Sequence, residues 1–386
     1  MFPRKADVII IGAGVIGASI AYYLIKKNIR AVVLEKNGIA SSSSGACDGL
    51  LLLQSKKPGI HMDMAVESLR RFGALAQELG EPIEYENKGS LVVIESAEEL
   101  AAIRLFTEKQ KKHGVDVSLL SREQALEKEP ALSENIIGAT FSQLDSHANP
   151  ILLTHGFLRA AQNAGTKVFT NTLVRGIELT QGRVTAVNTD RGKIETRVVI
   201  NATGAFAPRI GDMVNLTIPI KPRRGQILVT EATAPVLKCC ILSAKYIAAK
   251  FNPKLAKDEG YGFAMGQTAN GNILIGSTRE FMGFDKHTTY EGIHTIASNI
   301  LRVIPKIGNL NIIRAFAGLR PYTPDGLPIL GKVESIGGFI MAAGHEGDGI
   351  TLAPITGEMI ANLVATGASP FPFDDFRLER FPPHNG

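Results

Sequence analysis

Apolar positions in this chain fall into short uninterrupted runs that alternate with segments of helical spacing. The first run, Val8-Ile9-Ile10-Ile11, is of strand type and feeds Gly12-Ala13-Gly14-Val15-Ile16-Gly17. A helix-type periodic segment follows from Ala18 to Lys27, and a second apolar run, Ala31 to Leu34, ends on Glu35. Met62 to Leu79 reads as a helix, with Ala65, Leu69, Phe72, Ala76 and Leu79 on one side. Tyr85 and Ser90 to Ile94 read as strands, and Ala97 to His113 as a charged helix with a solvated face. Ser121-Arg122-Glu123-Gln124 carries a capping pattern that opens a helix, and Pro130 ends it. Ile137 to Phe141 is a further strand. This block, residues 80 to 145, reads as an insertion that leaves the first domain.

Asn149-Pro150 then opens a helix from Ile151 to Ala164. Strands are expected over Lys167 to Thr170, Thr172 to Leu179 and Val184 to Thr189, with turns at Gly182-Arg183 and Asp190-Arg191-Gly192. Val198 to Asn201 is an apolar strand ending in Ala202-Thr203-Gly204-Ala205. From Pro219 the character changes. Lys221 to Gln226 leads into Ile227 to Thr230, and Tyr246 to Phe251, Tyr261 to Met265 and Ile273 to Gly276 follow as short runs between Gly and Asn. That pattern predicts an antiparallel sheet. Tyr290 to Ile304 is a helix, and Ile312 to Gly318 a strand leading into Leu319-Arg320-Pro321. The last segment repeats the opening theme: strand Gly338 to Ala343, turn Gly344-His345-Glu346-Gly347-Asp348-Gly349, helix Ile350 to Leu363.

Two turns of this kind aim helix N-termini at a bound group. In the first, Gly12 permits the tight turn, Gly14 lets the backbone approach a pyrophosphate, and Gly17 lets the helix pack on the strand. Glu35 is placed to accept from a ribose hydroxyl. Ser41-Ser42-Ser43-Ser44-Gly45-Ala46 offers small donors to a phosphate. The fold class expected is α/β: a Rossmann-like domain of discontinuous segments, 1–80, 145–215 and 325–386, and a substrate domain with a mainly antiparallel sheet, 81–144 and 216–324.

Composition narrows the function classes. The formal charge is +5, but the basic pairs Lys56-Lys57, Lys111-Lys112 and Arg223-Arg224 are scattered, which disfavours a nucleic-acid stripe. Three cysteines, Cys47, Cys239 and Cys240, make neither a disulfide framework nor a CxxC pair, so a reducing, cytoplasmic setting is expected. Cys239-Cys240 lacks the histidine spacing of a metal site, and no metal is expected. Residues 1–5 run into the first strand with no signal-peptide region before it, and no run is long enough to span a bilayer. Attachment to the inner membrane face through a partner stays open.

Taken together, these landmarks resemble the D-amino-acid-oxidase/glycine-oxidase superfamily of FAD enzymes along nearly the whole chain. The likeness rests on Gly12 to Gly17, Glu35, Ser41 to Ala46, Asn201 to Ala205, Gly318 to Pro321, Thr323 to Gly331 and Gly344 to Gly357. Gln267-Thr268, Gly276 to Phe281 and Gly344 to Gly349 look most like the flavin (beta) subunits of D-hydroxyproline dehydrogenase, opine oxidase and hydrogen cyanide synthase. The glycine oxidases of thiamine synthesis are a more distant likeness. The resemblance implies a glutathione-reductase-like flavin domain with an antiparallel sheet covering the flavin. It places FAD on Gly12, Ala13, Gly14, Val15, Ile16, Gly17, Glu35, Lys36, Ser42, Ser43, Ser44, Gly45, Ala46, Val174, Ala202, Thr203, Gly204, Gly318, Arg320, Gly344, Gly347, Asp348, Gly349 and Ile350.

It further implies oxidation of a C–N bond in a small amino or imino acid: D-hydroxyproline or D-proline, glycine, sarcosine or another D-amino acid. A hydride passes from Cα to flavin N5. Arg320 falls on the family arginine that holds the substrate carboxylate. His345 and Glu346, in the second glycine turn, are candidates to tune the amine or contact the substrate. Arg279, where glycine oxidases carry an apolar residue, is either a second anionic contact or a partner of Glu280 or Asp285. Asp48 lies near the flavin-facing loop, and Tyr246, Tyr261 and Phe263 compete for the role of pocket aromatic. The closer likeness favours the catalytic subunit of a dehydrogenase whose partner subunits carry iron–sulfur, FMN or FAD centres. Alternatives are a stand-alone oxidase using oxygen, an NAD-dependent dehydrogenase, and a flavin-binding scaffold without turnover.

Overall fold

Val8–Ile11 is the centre of a six-stranded sheet whose order is Ile329–Lys332, Phe339–Ala343, Val199–Asn201, Val8–Ile11, Ala31–Leu34, Lys167–Phe169. The computed structural model describes residues 2–251, 262–369 and 371–382. All neighbours in this sheet pair in parallel except Ile329–Lys332, which runs antiparallel to Phe339–Ala343. Parallel strands end at the same edge. The turns after Val8–Ile11 and Phe339–Ala343, three hundred residues apart in the chain, therefore open side by side, separated only by Val199–Asn201. Ligands of open α/β sheets bind along such an edge.

Both faces of this sheet are covered, so Val8–Ile11, Ala31–Leu34 and Phe339–Ala343 are apolar and buried throughout rather than alternating. Helices Val15–Ile25, Ile60–Leu79, Pro150–Asn163 and Gly349–Thr366 bury one face. On the other lie the antiparallel strands Val174–Thr180, Arg183–Thr189 and Gly192–Glu195 and the helix Ala207–Asp212. Helix Val15–Ile25 is buried nearly all round because Gly349–Thr366 lies directly against it. Their approach depends on Gly357, where any Cβ would collide with Ser19 Oγ. Ser19 in turn donates to Ala353 O at 2.7 Å.

A second sheet has eight strands in the order Ile312–Tyr322, Lys221–Thr230, Ile273–Gly276, Ala264–Gln267, Cys240–Ser243, Ser90–Ile94, Gly138–Ser142, Ser118–Ser121. It is antiparallel apart from the parallel pairing of Cys240–Ser243 with Ser90–Ile94. Asp145 holds the chain that links the two sheets. Its buried carboxylate accepts from Leu53 N (2.6 Å) and Ser90 Oγ (2.6 Å).

Five local expectations change. Tyr246 to Phe251 belongs to a helix, Ala244–Phe251, because Ser243 Oγ accepts from Tyr246 N (3.1 Å) and starts a turn among alanines. The strand at this point is the buried run Cys240–Ser243 just before it. Tyr85 is not in a strand; its neighbour Glu86 makes an isolated bridge to His147. Lys221 to Gln226 is not a lead-in but half of one long strand, held in register against Ala317–Tyr322. The first helix starts at Val15, three residues before the expected Ala18. Of the expected strand Tyr261 to Met265, Tyr261 lies outside the described residues and the strand is Ala264–Gln267. No helix among the described residues is long and apolar enough to cross a membrane.

Candidate active site

An elongated cleft follows the strand ends of the parallel sheet and passes under the second sheet. It holds about 1950 Å³ of empty space, part of it open to solvent. Gly12 has φ +108°, and a Cβ there would stand 2.6 Å from Ala202 O, so the chain crosses at this point only as glycine. Ser44 reaches across the sequence to accept from Val15 N at 2.9 Å, which caps the first helix with a loop serine. Ser43 Oγ donates to Leu319 O, and a Cβ on Gly318 would collide with Ala46 O. The Ser41–Ala46 loop is thereby pinned between the first helix and strand Ile312–Tyr322.

Glu35 accepts from Ala13 N and Asn37 N, both at 2.9 Å. A carboxylate has about four lone-pair sites, so two stay open for vicinal hydroxyls. Lys36 stands 3.4 Å over the Phe206 ring, which stacks on Phe284 at 4.7 Å. Val174, Ala202, Thr203 and Gly204 complete this part of the wall. The arrangement fits a dinucleotide: a backbone too tight for side chains, an open helix N-terminus, and an acid with spare acceptors.

Arg320 dominates the other part. Its strand pairs with Lys221–Thr230, and its side chain lies across Gly225, where any Cβ would collide with the guanidinium. Gly347 faces it from the second glycine turn, where a Cβ would stand 3.5 Å from Arg320 Nε. Arg320 donates to Thr278 O (3.0 Å) and to Ser277 Oγ. Its remaining donors are available to the cleft that it lines.

Glu346 also lines the cleft, with φ +50° in the second turn. It is ion-paired with buried Arg223, and Arg279 Nη1 lies 3.6 Å from the same oxygen. Arg279 also sits over the ring of Tyr246, 4.5 Å from its centroid, and Tyr246 is a wall residue. Arg279 does not pair with Glu280 or Asp285, as one of its two sequence-based alternatives had it. Both belong to Arg224, at 3.1 and 2.6 Å. Alternation along the strand explains this, because Arg223 and Arg224 project to opposite faces.

A third group was visible in the sequence only in part: His345 and Asp348 were expected at the site, Lys56 and His61 were not. Lys56 is 2% exposed, lines the cleft, and pairs with Asp348 at 2.6 Å. His61 Nε2 lies 3.4 Å from the other Asp348 oxygen. His345 lies close by, with Nε2 against Thr356 Oγ1 (3.1 Å). Burial, with His61 adding to it, depresses the His345 pKa to about 3, so the ring is neutral at ordinary pH. Burial pushes the Cys47 thiol up to about 12, with nearby Asp48 adding to it, which makes this wall cysteine a poor nucleophile. Burial also raises Asp48 and lowers His147, whose Nε2 meets Asp48 O at 3.1 Å.

Most of the expected cofactor residues line the cleft. Ala13, Gly17, Gly45 and Gly344 do not; they shape the turns behind it. Of the four catalytic candidates, Arg320, His345 and Glu346 line it, and Arg279 sits behind Tyr246 and Glu346. Among the aromatic candidates Tyr246 is a wall residue and Phe263 is fully buried in the sheet core, while Tyr261 lies outside the described residues. Lys56, Arg223, Phe206 and Arg209 were missed as site residues. Lys56 and Arg223 stood out only as members of basic pairs, a pattern that exposed charges share.

A family model described as FAD dependent oxidoreductase matches residues 7–363. Hydrogen cyanide synthase subunit HcnC of Pseudomonas aeruginosa is 30% identical over 98% of this chain and 97% of its own. The crystal structure of L-proline dehydrogenase from P. horikoshii superposes with a TM-score of 0.90 at 29% identity, covering 98% of both chains. That of glycine oxidase from Geobacillus kaustophilus gives 0.89 at 28% identity, covering 98% of this chain and 100% of the other.

Proposed function

Because the chain belongs to the family of FAD dependent oxidoreductases and acts with FAD on amino-acid-like substrates, we propose that it oxidises the C–N bond of a small amino or imino acid, as the catalytic subunit of a dehydrogenase complex. The observation that carries this reading is Arg320, a guanidinium held between Gly225 and Gly347 in the same cleft as the dinucleotide cradle.

FAD is held by the Gly12 turn, Glu35, the Ser42–Ala46 loop and the turn ending at Ile350, and when bound it supplies the two-electron acceptor for the hydride that leaves Cα. Arg320 takes the substrate carboxylate with two parallel N–H donors, which fixes Cα in one orientation. Glu346, on the facing turn, accepts from the substrate nitrogen and positions it. The helix opening at Gly349 presents its N-terminus to the cleft, where it favours negative charge. Neutral His345 and the compensated Lys56–Asp348 pair add little net charge to this end. The substrate loses a hydride from carbon and a proton from nitrogen. The resulting imine takes up water to give an oxo acid and ammonia, or an amine where the nitrogen was substituted.

Support for a complex is twofold. The relative HcnC is by name a subunit. Three cysteines are too few for a four-thiolate cluster in this chain, so an iron–sulfur centre that takes the electrons onward sits on a partner, as an FMN or second FAD centre would in this reading. The test is anaerobic mixing of the FAD-loaded protein with glycine, sarcosine, D-proline and D-hydroxyproline, followed by air. Bleaching of the flavin with slow reoxidation is expected. Fast reoxidation identifies a stand-alone oxidase, and no bleaching by any amino or imino acid ends the reading.

A further inference from the structure

Arg223, Arg224 and Arg279 are all buried, and their partners differ sharply. Arg224 is saturated: Nε and Nη2 donate to Glu280, and Nη1 to Asp285 (2.6 Å) and His287 O (3.0 Å). Arg279 is 6% exposed, yet Nε, Nη1 and Nη2 all lack a hydrogen-bond partner. Its nearest anion among the described residues is Glu346 at 3.6 Å, beyond hydrogen-bond reach, and that oxygen already serves Arg223. The Tyr246 face at 4.5 Å offsets part of the charge but cannot accept in-plane N–H donors. A buried guanidinium with unmade hydrogen bonds is costly, and such groups mark places where a ligand completes the set.

The location points to the ligand. Tyr246 and Glu346, which Arg279 touches, are both walls of the cleft. Arg320 donates to Thr278 O, the residue just before Arg279, so the two guanidiniums reach the same region from adjoining backbone. A substrate with one carboxylate occupies Arg320 and leaves Arg279 as it is. We propose that the substrate carries a second acidic group, and that Arg279 binds it. This rests on the oxidation of an amino or imino acid proposed above and names its substrate class: a dicarboxylic amino or imino acid. The second carboxylate sits either on the Cα side chain or on an arm attached to nitrogen.

Ligand binding to the FAD-loaded protein tests this without turnover, through the shift of the flavin absorbance. Acetate and propionate are compared with malonate and succinate. The diacids are expected to bind at least about ten-fold more tightly. Arg279→Gln should bring the two classes together, and Arg279→Lys, which keeps the charge, should restore part of the gap. Equal affinities in the native protein overturn the proposal. So does a Gln variant that weakens both classes by the same factor, because Arg279 then shares the single carboxylate of Arg320. If the Gln variant fails to retain FAD, the native ratio and the Lys variant decide.

Anaerobic bleaching then separates the two sources. Aspartate and glutamate of both hands represent the side-chain acid; iminodiacetate and N-carboxyalkyl amino acids represent the nitrogen arm. Whichever set outpaces glycine and proline identifies the source, and bleaching by glycine or proline that is as fast as by either set overturns the proposal. If the diacids bind selectively but no amine bleaches the flavin, the diacid site stands and the proposed oxidation fails.

Discussion

At the scale of single residues, roles follow from partners rather than from residue type. Arg320, Arg223, Arg224 and Arg279 are four arginines on neighbouring strands and their connection. One faces the cleft, one pairs closely with Glu346, one has every nitrogen hydrogen-bonded, and one is buried with no hydrogen bond made. Arg320→Lys keeps the charge and loses the planar fork, so flavin reduction should fall about 10²-fold in kcat/KM, mostly through orientation, as measured by anaerobic stopped flow. His345 gives a pH prediction. Its folded pKa, about 3, lies below the ordinary value of 6.5. Between these values the unfolded chain binds a proton that the folded one does not, so stability is full above pH 6.5 and is lost on acidification, by up to about 1.4 kcal/mol per pH unit. Asp145, raised by burial to about 6, works the opposite way. The difference between native protein and His345→Gln isolates the histidine: urea midpoints should fall more steeply from pH 7 to 5 in the native protein.

Two elements hold the cleft open at the right width. The Ser41–Ala46 loop is tied to the first helix by Ser44 and to the second sheet by Ser43. Ser44→Ala removes the cap of Val15 N and a donor to the cleft, so FAD affinity should drop about ten-fold, with about 1 kcal/mol lost from the apoprotein. Equilibrium dialysis and thermal unfolding of the apoprotein check the two parts separately. Lys56 and Asp348 join the segment after strand Leu50–Leu51 to the start of the last helix. Lys56→Met removes the lysine from buried Asp348 and leaves it His61, and should cost about 3 kcal/mol, read from denaturant unfolding. The partner change Asp348→Asn in the same chain should recover part of it, which a merely volumetric effect of the methionine would not show.

Over the whole molecule, the cofactor cleft is the contact zone between two sheets whose strands interleave along the chain. Gly12, Glu35, Ser44, Ala202, Arg320 and Asp348 come from six separate segments and meet at one cavity. A ligand that touches all of them stabilises the assembled state by mass action. At a thousand-fold excess of free FAD over its Kd the gain is about 4 kcal/mol, so stripping FAD should lower the melting temperature by several degrees or more. Calorimetry with and without added FAD measures this. If the unfolding of the stripped protein shows the same midpoint, the cleft does not hold the cofactor.

Much of this was legible in the order of residues. Strand, glycine turn, helix and acid stand within about thirty positions, and their local conformations are set by short-range sterics and hydrogen bonding. The second glycine turn and the antiparallel block could be read for the same reason, whereas Arg320 was singled out through the resemblance that these landmarks carried, with which the family match agrees. The strand at Cys240–Ser243 and the helix after it were misread because a serine cap outweighed the strand-like look of Tyr246 to Phe251. Charge partners were beyond the sequence altogether. Lys56 and Asp348 are separated by 292 positions, and Arg223 and Glu346 by 123. Nothing in the spacing of basic pairs separates a solvated lysine from one sealed against an aspartate. Sequence by itself determined most strands and helices, the glycine turns and the cofactor class, because those depend on neighbours along the chain. Tertiary structure alone decided which arginine lines the cleft, which is neutralised and which lacks hydrogen-bond partners, because electrostatics acts through space between segments that only folding brings together.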